Sequence, residues 1–482
     1  MNRRMILYLL GRILTVEAAL MAPSAALAAI YGEGDLSAFL ISMALLLAVG
    51  LPLSVNKPEN SAIYAREGLV TVALAWVLMS AFGALPMVIS GAIPSYVDAL
   101  FEIVSGFTTT GASILSEVES LPRGVLFWRS FSHWVGGMGV LVFVMAVLPM
   151  SDDRSMVLMR AEVPGPTASK LVPRMRQTAK ILYGTYSVMT LVLIVLLLLG
   201  GMPAFDAVCN AMGAAGTGGF SVRNIGIAYY DSAYADVVLS VFMLLFSINF
   251  NLYYLILIRR VREALRSEEL RWFVAIVAGA TVIVTLCVLP QYGTLGLSLR
   301  HAFFQVSSII STTGYATTDF ALWPVLAQEV LLVLMFIGAC AGSTGGGYKV
   351  SRLAIACKSF GAELRHVLHP RAVTTIRFDG RAVEQETVTG TRNYLIGSML
   401  ILTVVTLLIA LDGFDFTTNF SATLSCFSNI GPGLAQVGPM SNFGAYSPFS
   451  KLLLTATMLA GRLEVFPIVL LLSPRTWRRS AA

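Results

Sequence analysis

Four short turns of small polar residues and glycine recur along the chain. Each follows an apolar segment too short to cross a bilayer and precedes one that is long enough. The turns are Thr108-Thr109-Thr110-Gly111-Ala112, Gly216-Thr217-Gly218-Gly219, Ser311-Thr312-Thr313-Gly314-Tyr315 and Asn429-Ile430-Gly431-Pro432. Aligned on Gly111, Gly218, Gly314 and Gly431, they lie 107, 96 and 117 residues apart. A unit of about a hundred residues is therefore repeated four times, which is typical of a pore with four similar walls on one polypeptide.

Composition places the chain in a membrane. Its 482 residues are 56% hydrophobic and 12% charged, with a mean hydropathy of +0.76, whereas a soluble domain has about 25% charged residues. The net charge of +6 does not indicate nucleic-acid binding, because the basic residues lie in short loops between apolar spans. The five cysteines contain no CxxC pair, and His366 and His369 have no patterned partners, so we expect neither a disulfide framework nor a resident metal site.

Ten segments are long and apolar enough to cross a bilayer. They are residues 5–29, 36–53, 67–91, 124–150, 176–201, 233–258, 271–290, 327–357, 391–411 and 447–473. Four shorter segments, 96–109, 203–216, 299–312 and 416–429, lie between members of the last eight. Non-helical backbone at membrane depth is tolerated only inside protein or beside a wet cavity. We therefore interpret the short segments as re-entrant pore helices of an all-α polytopic membrane protein.

The repeats divide the chain into five parts. These are two N-terminal transmembrane helices (1–60), pore repeat 1 (61–160), pore repeat 2 (161–262), pore repeat 3 with a glycine-rich intramembrane loop (263–385) and pore repeat 4 (386–482).

The distribution of Lys and Arg predicts the orientation. Loops on one side carry 27 of these residues, whereas the side with the four turns carries only Arg123, Arg223 and Arg300. By the positive-inside rule both termini are cytoplasmic and the turns open outward. The first segment also resembles a secretory signal with a cleavage site near Ala26 to Ala29, but Arg12 and Glu17 interrupt it and favour a retained helix.

The turns have the chemistry of a cation filter. A cation that enters the bilayer exchanges its water shell for fixed oxygens, which backbone carbonyls can supply. Glycine permits the positive φ that such a strand needs, and the carboxyl ends of the half-helices carry partial negative charge. Small residues also pack membrane helices closely, but that alternative does not explain four turns in the same context. The candidate filter residues are Thr109, Thr110, Gly111, Thr217, Gly218, Thr312, Thr313, Gly314, Asn429, Ile430 and Gly431.

On these motifs, together with Gly461-Arg462-Leu463-Glu464, the chain resembles the TrkH type of membrane subunit in the Trk/Ktr/HKT superfamily of potassium transporters. The resemblance covers nearly the whole chain, including the two extra N-terminal helices. It implies four tandem M1-P-M2 pore units in pseudo-fourfold arrangement, potassium selectivity, a homodimer and a cytoplasmic TrkA-like nucleotide-binding regulatory ring. In the superfamily, serine in place of the first filter glycine is associated with sodium permeation, so Gly111 implies potassium. The fourth turn departs from the pattern with Ile430 and Pro432, which implies looser discrimination among alkali ions.

Arg462 is the first gate candidate. A cationic side chain inside a span costs about 2.5 to 3.5 kcal/mol on insertion scales. Glu464 is only two positions away and cannot pair with Arg462 within a helix. The resemblance implies that Arg462 faces the wet interior beneath the filter and limits ion flow. The alternative is a structural ion pair with a carboxylate of another helix.

A glycine run inside the eighth span is the second gate candidate. Glycine costs about 1 kcal/mol per position in a helix interior, so the run from Gly338 to Gly347 should unwind into a loop, with Gly345, Gly346 and Gly347 as the gate. Tight helix packing is the alternative. The run is not a phosphate loop, because Val350 stands where Ser or Thr should be.

Some polar residues lie in the short segments. Glu102, Asp206 and Gln305 could hydrogen-bond backbone amides behind the filter or cap partly wet helix ends. The charged loops at 151–180 and 350–390 are either docking surfaces or only determinants of orientation.

Potassium uptake across the bacterial inner (cytoplasmic) membrane, through a gated channel-like pore, is the leading functional hypothesis. K+ would be the transported ion, bound at the filter, with no covalently bound cofactor. The alternative is a secondary transporter that couples potassium to protons or sodium by symport. An enzyme is not expected, because the sequence contains no paired aspartates, Ser/His set or HExxH helix.

Overall fold

Long apolar helices dominate the computed structural model, which describes residues 2–60, 63–139, 175–371 and 374–477. Within those residues six helices are long and apolar enough to span a bilayer, and a seventh span is a pair of helices bent by 91°. The only strands in this part of the chain are two strands of two residues each, which pair as an antiparallel hairpin. The fold is all-α, with four tandem helix–pore helix–helix units that follow two N-terminal helices.

The N-terminal helices are part of the bundle. The first N-terminal span comprises α1 (Arg3–Leu20) and α2 (Ala22–Tyr31), and the second is α3 (Leu36–Val55). A Cβ added at Gly11 of α1 would lie 2.8 Å from the Gly50 carbonyl oxygen of α3. Only small residues allow two helices to approach so closely, and α1 also packs against the first helix of repeat 1.

The helices of repeats 1 and 2 are α4 (Ala65–Gly83), α5 (Leu85–Ile89), α6 (Tyr96–Phe107), α7 (Arg123–Gly137), α8 (Met175–Leu199), α9 (Ala204–Gly216), α10 (Ala233–Phe246), α11 (Phe250–Leu257) and α12 (Val261–Leu265). Those of repeats 3 and 4 are α13 (Glu268–Tyr292), α14 (Leu295–Ile310), α15 (Val325–Ile337), α16 (Val350–Leu368), α17 (Gln385–Ile409), α18 (Phe416–Ser428), α19 (Pro448–Arg462), α20 (Phe466–Leu472) and α21 (Pro474–Trp477). The hairpin strands are β1 (Arg377–Phe378) and β2 (Arg381–Ala382), and 3₁₀ turns lie at Gly226–Tyr230, Phe320–Leu322, Ala410–Asp412 and Ala435–Val437.

The four pore helices are α6, α9, α14 and α18, and each ends where one of the four turns begins. Side chains cap two of their N-termini. Ser95 accepts a hydrogen bond from the N–H of Asp98 at 3.4 Å, and Asp415 accepts one from the N–H of Thr418 at 3.1 Å. The hydroxyl of Thr418 also donates to Asp415, and these bonds hold the pKa of the Asp415 carboxyl below its usual range. The four short helices predicted at these positions are confirmed.

Three predicted spans are interrupted halfway. The glycine-rich break between Ile337 and Val350 is confirmed. The predicted spans 233–258 and 447–473 are likewise each divided between two helices. The first bends by 91° after Phe246, and the second stops at Arg462 because Glu464 and Val465 adopt positive φ values of 56° and 69°. The predicted span 124–150 is described only to Gly139, and the loop at 151–180 lies almost entirely outside the described residues.

Candidate ion pathway

Backbone conformation gives the register of the four turns. In each, one residue adopts a left-handed φ between 54° and 60°, and a glycine two positions later has a φ between 75° and 103°. The left-handed residues are Thr109, Thr217, Thr312 and Asn429, and the glycines are Gly111, Gly219, Gly314 and Gly431. The structurally equivalent five-residue segments, here called the filter loops, are residues 108–112, 216–220, 311–315 and 428–432.

Hydrogen bonds support the same register. In every loop the residue before the glycine donates its N–H to a carbonyl five residues earlier in the pore helix. The bonds are Thr110 to Ser105 (2.8 Å), Gly218 to Gly213 (2.8 Å), Thr313 to Ser308 (2.9 Å) and Ile430 to Ser425 (3.0 Å). The predicted alignment of Gly218 with Gly111 was therefore one residue out. Gly219 is the equivalent glycine, and Gly218 occupies the position of Thr110, Thr313 and Ile430.

The four loops close a ring. A Cβ added at Gly111 would collide with the Gly218 carbonyl oxygen, one at Gly219 with that of Thr313, and one at Gly314 with that of Ile430. A Cβ at Gly431 would lie 2.8 Å from the carbonyl oxygen of Thr110, which returns to the first loop. Each glycine thus faces a carbonyl of the next repeat, in the order one, two, three, four, one.

The ring is narrow as well as closed. The Thr313 carbonyl oxygen, in the loop opposite the first, would lie 3.7 Å from a Cβ at Gly111. A side chain at Gly111 would therefore point into the space between opposite loops. On one side of the ring is a cavity of about 120 Å³ lined by Gly111, Gly219, Gly314 and Gly431.

Hydroxyl and amide side chains brace three of the loops. The Thr108 and Thr110 hydroxyls lie 2.7 Å apart, as do those of Ser311 and Thr313. Asn429 Nδ2 donates to the Thr110 hydroxyl at 2.9 Å and to the Met458 carbonyl at 3.0 Å. Asn429 thus links the fourth loop to the first and to α19.

The three polar pore-helix residues have different surroundings. Glu102 accepts a hydrogen bond at 3.0 Å from the backbone N–H of Ile114, two residues after the first filter loop. It also forms a buried ion pair with Arg129 at 2.5 Å. Asp206 instead binds Arg223 at 3.0 Å and the Tyr230 hydroxyl at 2.8 Å. Neither amide atom of Gln305 has a hydrogen-bond partner among the described residues.

Beneath the ring, the unwound segment 338–349 contacts two filter loops. Gly346 donates its N–H to the Thr312 hydroxyl at 2.6 Å, and Gly347 donates to the Ser428 carbonyl at 2.9 Å. A Cβ at Gly346 would collide with that same carbonyl. The segment, here called the intramembrane loop, is therefore seated directly against the third and fourth filter loops, and its glycines permit this contact.

Arg462 joins three repeats at this level. Its guanidinium donates to the carbonyl oxygens of Gly136 (2.5 Å) and Gly137 (2.9 Å), and to that of Thr344 in the intramembrane loop (2.9 Å). The side chain is 7% exposed. These carbonyls come from repeats 1 and 3, so the charge lies where α7 ends, where the intramembrane loop follows α15 and where α19 ends.

Two charged residues, Glu269 from α13 and Lys349 from the loop itself, hold the conformation of the intramembrane loop. Glu269 accepts the N–H groups of Ala341 (2.8 Å) and Ser351 (3.1 Å) and so holds both ends of the loop. Lys349, which is buried, donates to the Gly345 carbonyl. A cavity of about 10 Å³, with room for about one water, is lined by Gly345, Gly346, Gly347, Lys349, Asn429, Gly461, Arg462 and Glu464.

Glu464 forms an ion pair at 2.6 Å with Arg352. Arg352 follows the intramembrane loop, so this pair joins the break in the last span to α16. No sequence spacing could have found the pair, because its members are 112 residues apart.

Comparisons with known proteins identify the family. The TrkH family model, described as a cation transport protein, matches residues 36–479. The chain belongs to the TrkH family. It is 36% identical to the Trk system potassium uptake protein TrkH of Salmonella typhimurium, over 99% of this chain and 100% of that protein. It is 33% identical to the Trk system potassium uptake protein TrkG of Escherichia coli, over 98% and 99% of the two chains.

A solved structure supports the TrkH family fold over the full length. The crystal structure of the potassium transporter TrkH from Vibrio parahaemolyticus matches with a TM-score of 0.90 and 32% identity, and covers 99% of this chain and 100% of that one. Membership of the family places the chain among membrane transport proteins rather than enzymes.

Proposed function

We propose that this protein takes up potassium through a gated, channel-like pore whose selectivity filter is the ring of four filter loops. The closed ring of carbonyls from Thr110, Gly218, Thr313 and Ile430 against four glycines is the observation that carries the proposal. Fixed carbonyl oxygens replace the hydration shell of a cation, and the curated relatives named above are potassium uptake proteins.

The gate lies beneath the filter. Arg462 places a fixed positive charge against carbonyls of repeats 1 and 3, and the intramembrane loop with Gly345, Gly346 and Gly347 narrows the remaining space. A cation leaving the filter on this side meets electrostatic repulsion and a nearly filled cavity. Opening requires the intramembrane loop to leave Thr312 and Ser428.

The setting follows from the distribution of basic residues. With both termini cytoplasmic, the 120 Å³ cavity opens outward and the gate faces the cytoplasm of a bacterial inner membrane. Membrane potential favours inward movement by about 2.3 kcal/mol per charge per 100 mV. In the proposed assembly the protein is a homodimer that binds a cytoplasmic TrkA-like ring. This partner binds the nucleotide and thereby regulates the pore.

Voltage-driven uptake of rubidium-86 into vesicles with the purified protein tests this function. With an imposed potential and no gradient of protons or sodium, a conducting pore takes up rubidium at a rate that follows the voltage. If uptake appears only when a proton or sodium gradient is added, the protein is a symporter and the channel-like pathway is wrong. Vesicles without protein provide the background.

A further inference from the structure

The second filter loop lacks the side chains that brace its neighbours. The positions of the Thr108 and Thr110 pair in loop one, and of the Ser311 and Thr313 pair in loop three, are occupied in loop two by Gly216 and Gly218. Loop two therefore cannot form the hydroxyl contact of 2.7 Å that both of the other loops contain.

His133 of α7 occupies the space left by those missing side chains. A Cβ at Gly218 would collide with the imidazole ring, and one at Gly216 would collide with the His133 carbonyl. The imidazole of His133 is fully buried, and its centroid lies 4.2 Å from that of the Phe220 ring, the residue after Gly219.

The His133 ring also forms two hydrogen bonds to filter elements. Its Nε2 accepts the N–H of Phe220 at 3.3 Å, and its Nδ1 lies 2.8 Å from the Gly106 carbonyl of pore helix α6. Because the amide can only donate and the carbonyl can only accept, both bonds require a neutral ring with its proton on Nδ1. The imidazole of His133 thus bridges pore helix α6 and the second filter loop.

The bridge does not recur in repeat 4. Gly136 and Gly461 are at equivalent positions. A Cβ at Gly136 would collide with the carbonyl of Phe107, and one at Gly461 with that of Phe427. Phe107 and Phe427 each lie two residues before the left-handed residue of their filter loop. By this alignment the position of His133 is Met458 in repeat 4, whose side chain has no N–H to donate. In that repeat Ile430 supplies the side chain that Gly218 lacks.

We propose that His133 is a positioning residue of the selectivity filter, which substitutes for the missing hydroxyl pair of the second loop and thereby determines potassium selectivity. The inference rests on the proposed filter. Loss of the bridge leaves the carbonyl of Gly218, a member of the ring, without lateral support. Looser carbonyls discriminate less well between potassium-sized and sodium-sized ions.

Rubidium uptake with sodium as competitor, measured on the full chain in vesicles, tests the proposal. We expect His133→Leu to lower the preference for rubidium over sodium about tenfold, because the Phe220 N–H and the Gly106 carbonyl both lose their buried hydrogen-bond partner. His133→Gln keeps an acceptor for Phe220 and should retain most of the preference. His366→Leu, on the exposed end of α16, is the control.

A double-mutant cycle separates positioning from general damage. Gly218 does not have a positive φ, so serine is tolerated there by the backbone. Gly218→Ser alone collides with His133 and should lower the preference, whereas Gly218→Ser added to His133→Ala has room and should restore part of it.

Equal effects of Gly218→Ser in both backgrounds, or an unchanged preference in folded His133→Leu protein, would overturn the proposal. If Gly111→Ala changes the preference and the His133 variants do not, only this inference fails. If none changes it, the filter itself is misplaced.

Discussion

The backbone N–H of Gly346 donates a hydrogen bond of 2.6 Å to the side-chain hydroxyl of Thr312. Thr312 belongs to the third filter loop and Gly346 to the intramembrane loop, so a direct hydrogen bond joins the proposed filter to the proposed gate. A movement that carries Gly346 away from Thr312 breaks this bond and changes the surroundings of a filter residue.

Replacement of Thr312 by valine removes the acceptor and keeps the shape of the side chain. The seated intramembrane loop loses about 1 kcal/mol, so its open form becomes about fivefold more populated and basal rubidium uptake into vesicles rises accordingly. Thr312→Ser keeps the hydroxyl and should behave as wild type. A lower uptake in Thr312→Val than in Thr312→Ser would contradict a gate held shut by this bond.

Replacement of Arg462 by alanine should raise rubidium uptake at least about tenfold. Unit charges 4 Å apart repel by about 4 kcal/mol at an effective dielectric constant of about 20, and much of that barrier disappears with the guanidinium. Arg462→Lys keeps the charge but cannot reach the carbonyls of Gly136, Gly137 and Thr344 together, so its uptake should be intermediate. Unchanged uptake together with a lower melting temperature would show that Arg462 is a structural residue.

Replacement of Glu102 by glutamine tests the buried ion pair behind the first filter loop. Arg129 is 2% exposed and would lose its charged partner, a change that costs about 3–5 kcal/mol in buried pairs. We expect the melting temperature in detergent to fall by several degrees. Glu119→Gln is the matched control, because its pair with Arg223 at 3.7 Å is partly exposed and such pairs contribute about 1 kcal/mol or less. Similar shifts for both variants would contradict this prediction.

Much of the fold was predictable from local sequence. Apolar length identified the two N-terminal helices, the pore helices and the flanking spans, because each is a property of one continuous segment. The unwinding before Val350 was predictable for the same reason, since the glycines concentrate there. The stop after Arg462 was not, because Leu463, Glu464 and Val465 are ordinary helix residues and only their backbone conformation breaks the span.

The site was less predictable than the fold. Gly218 and Gly219 are adjacent, so spacing alone could not decide which is the equivalent of Gly111. The left-handed φ of 57° at Thr217 decides it, and no single-sequence pattern contains that angle. His133 was missed because the filter loop that it contacts comes from another repeat. Lys349 was missed because its bond to the Gly345 carbonyl forms only in the unwound conformation of its own segment.

The selectivity of the Gly111→Ala variant tests whether the four filter loops form a closed ring around one ion path. Gly413→Ala is the matched control, because Gly413 has nearly the same φ (79° against 81°) but nothing within 4 Å of an added Cβ. Rubidium uptake with sodium as competitor is measured for both variants and the wild type. We predict that Gly111→Ala abolishes uptake or loses discrimination against sodium, while Gly413→Ala keeps the wild-type ratio. Wild-type selectivity and rate in Gly111→Ala would show that the four loops do not enclose the ion path.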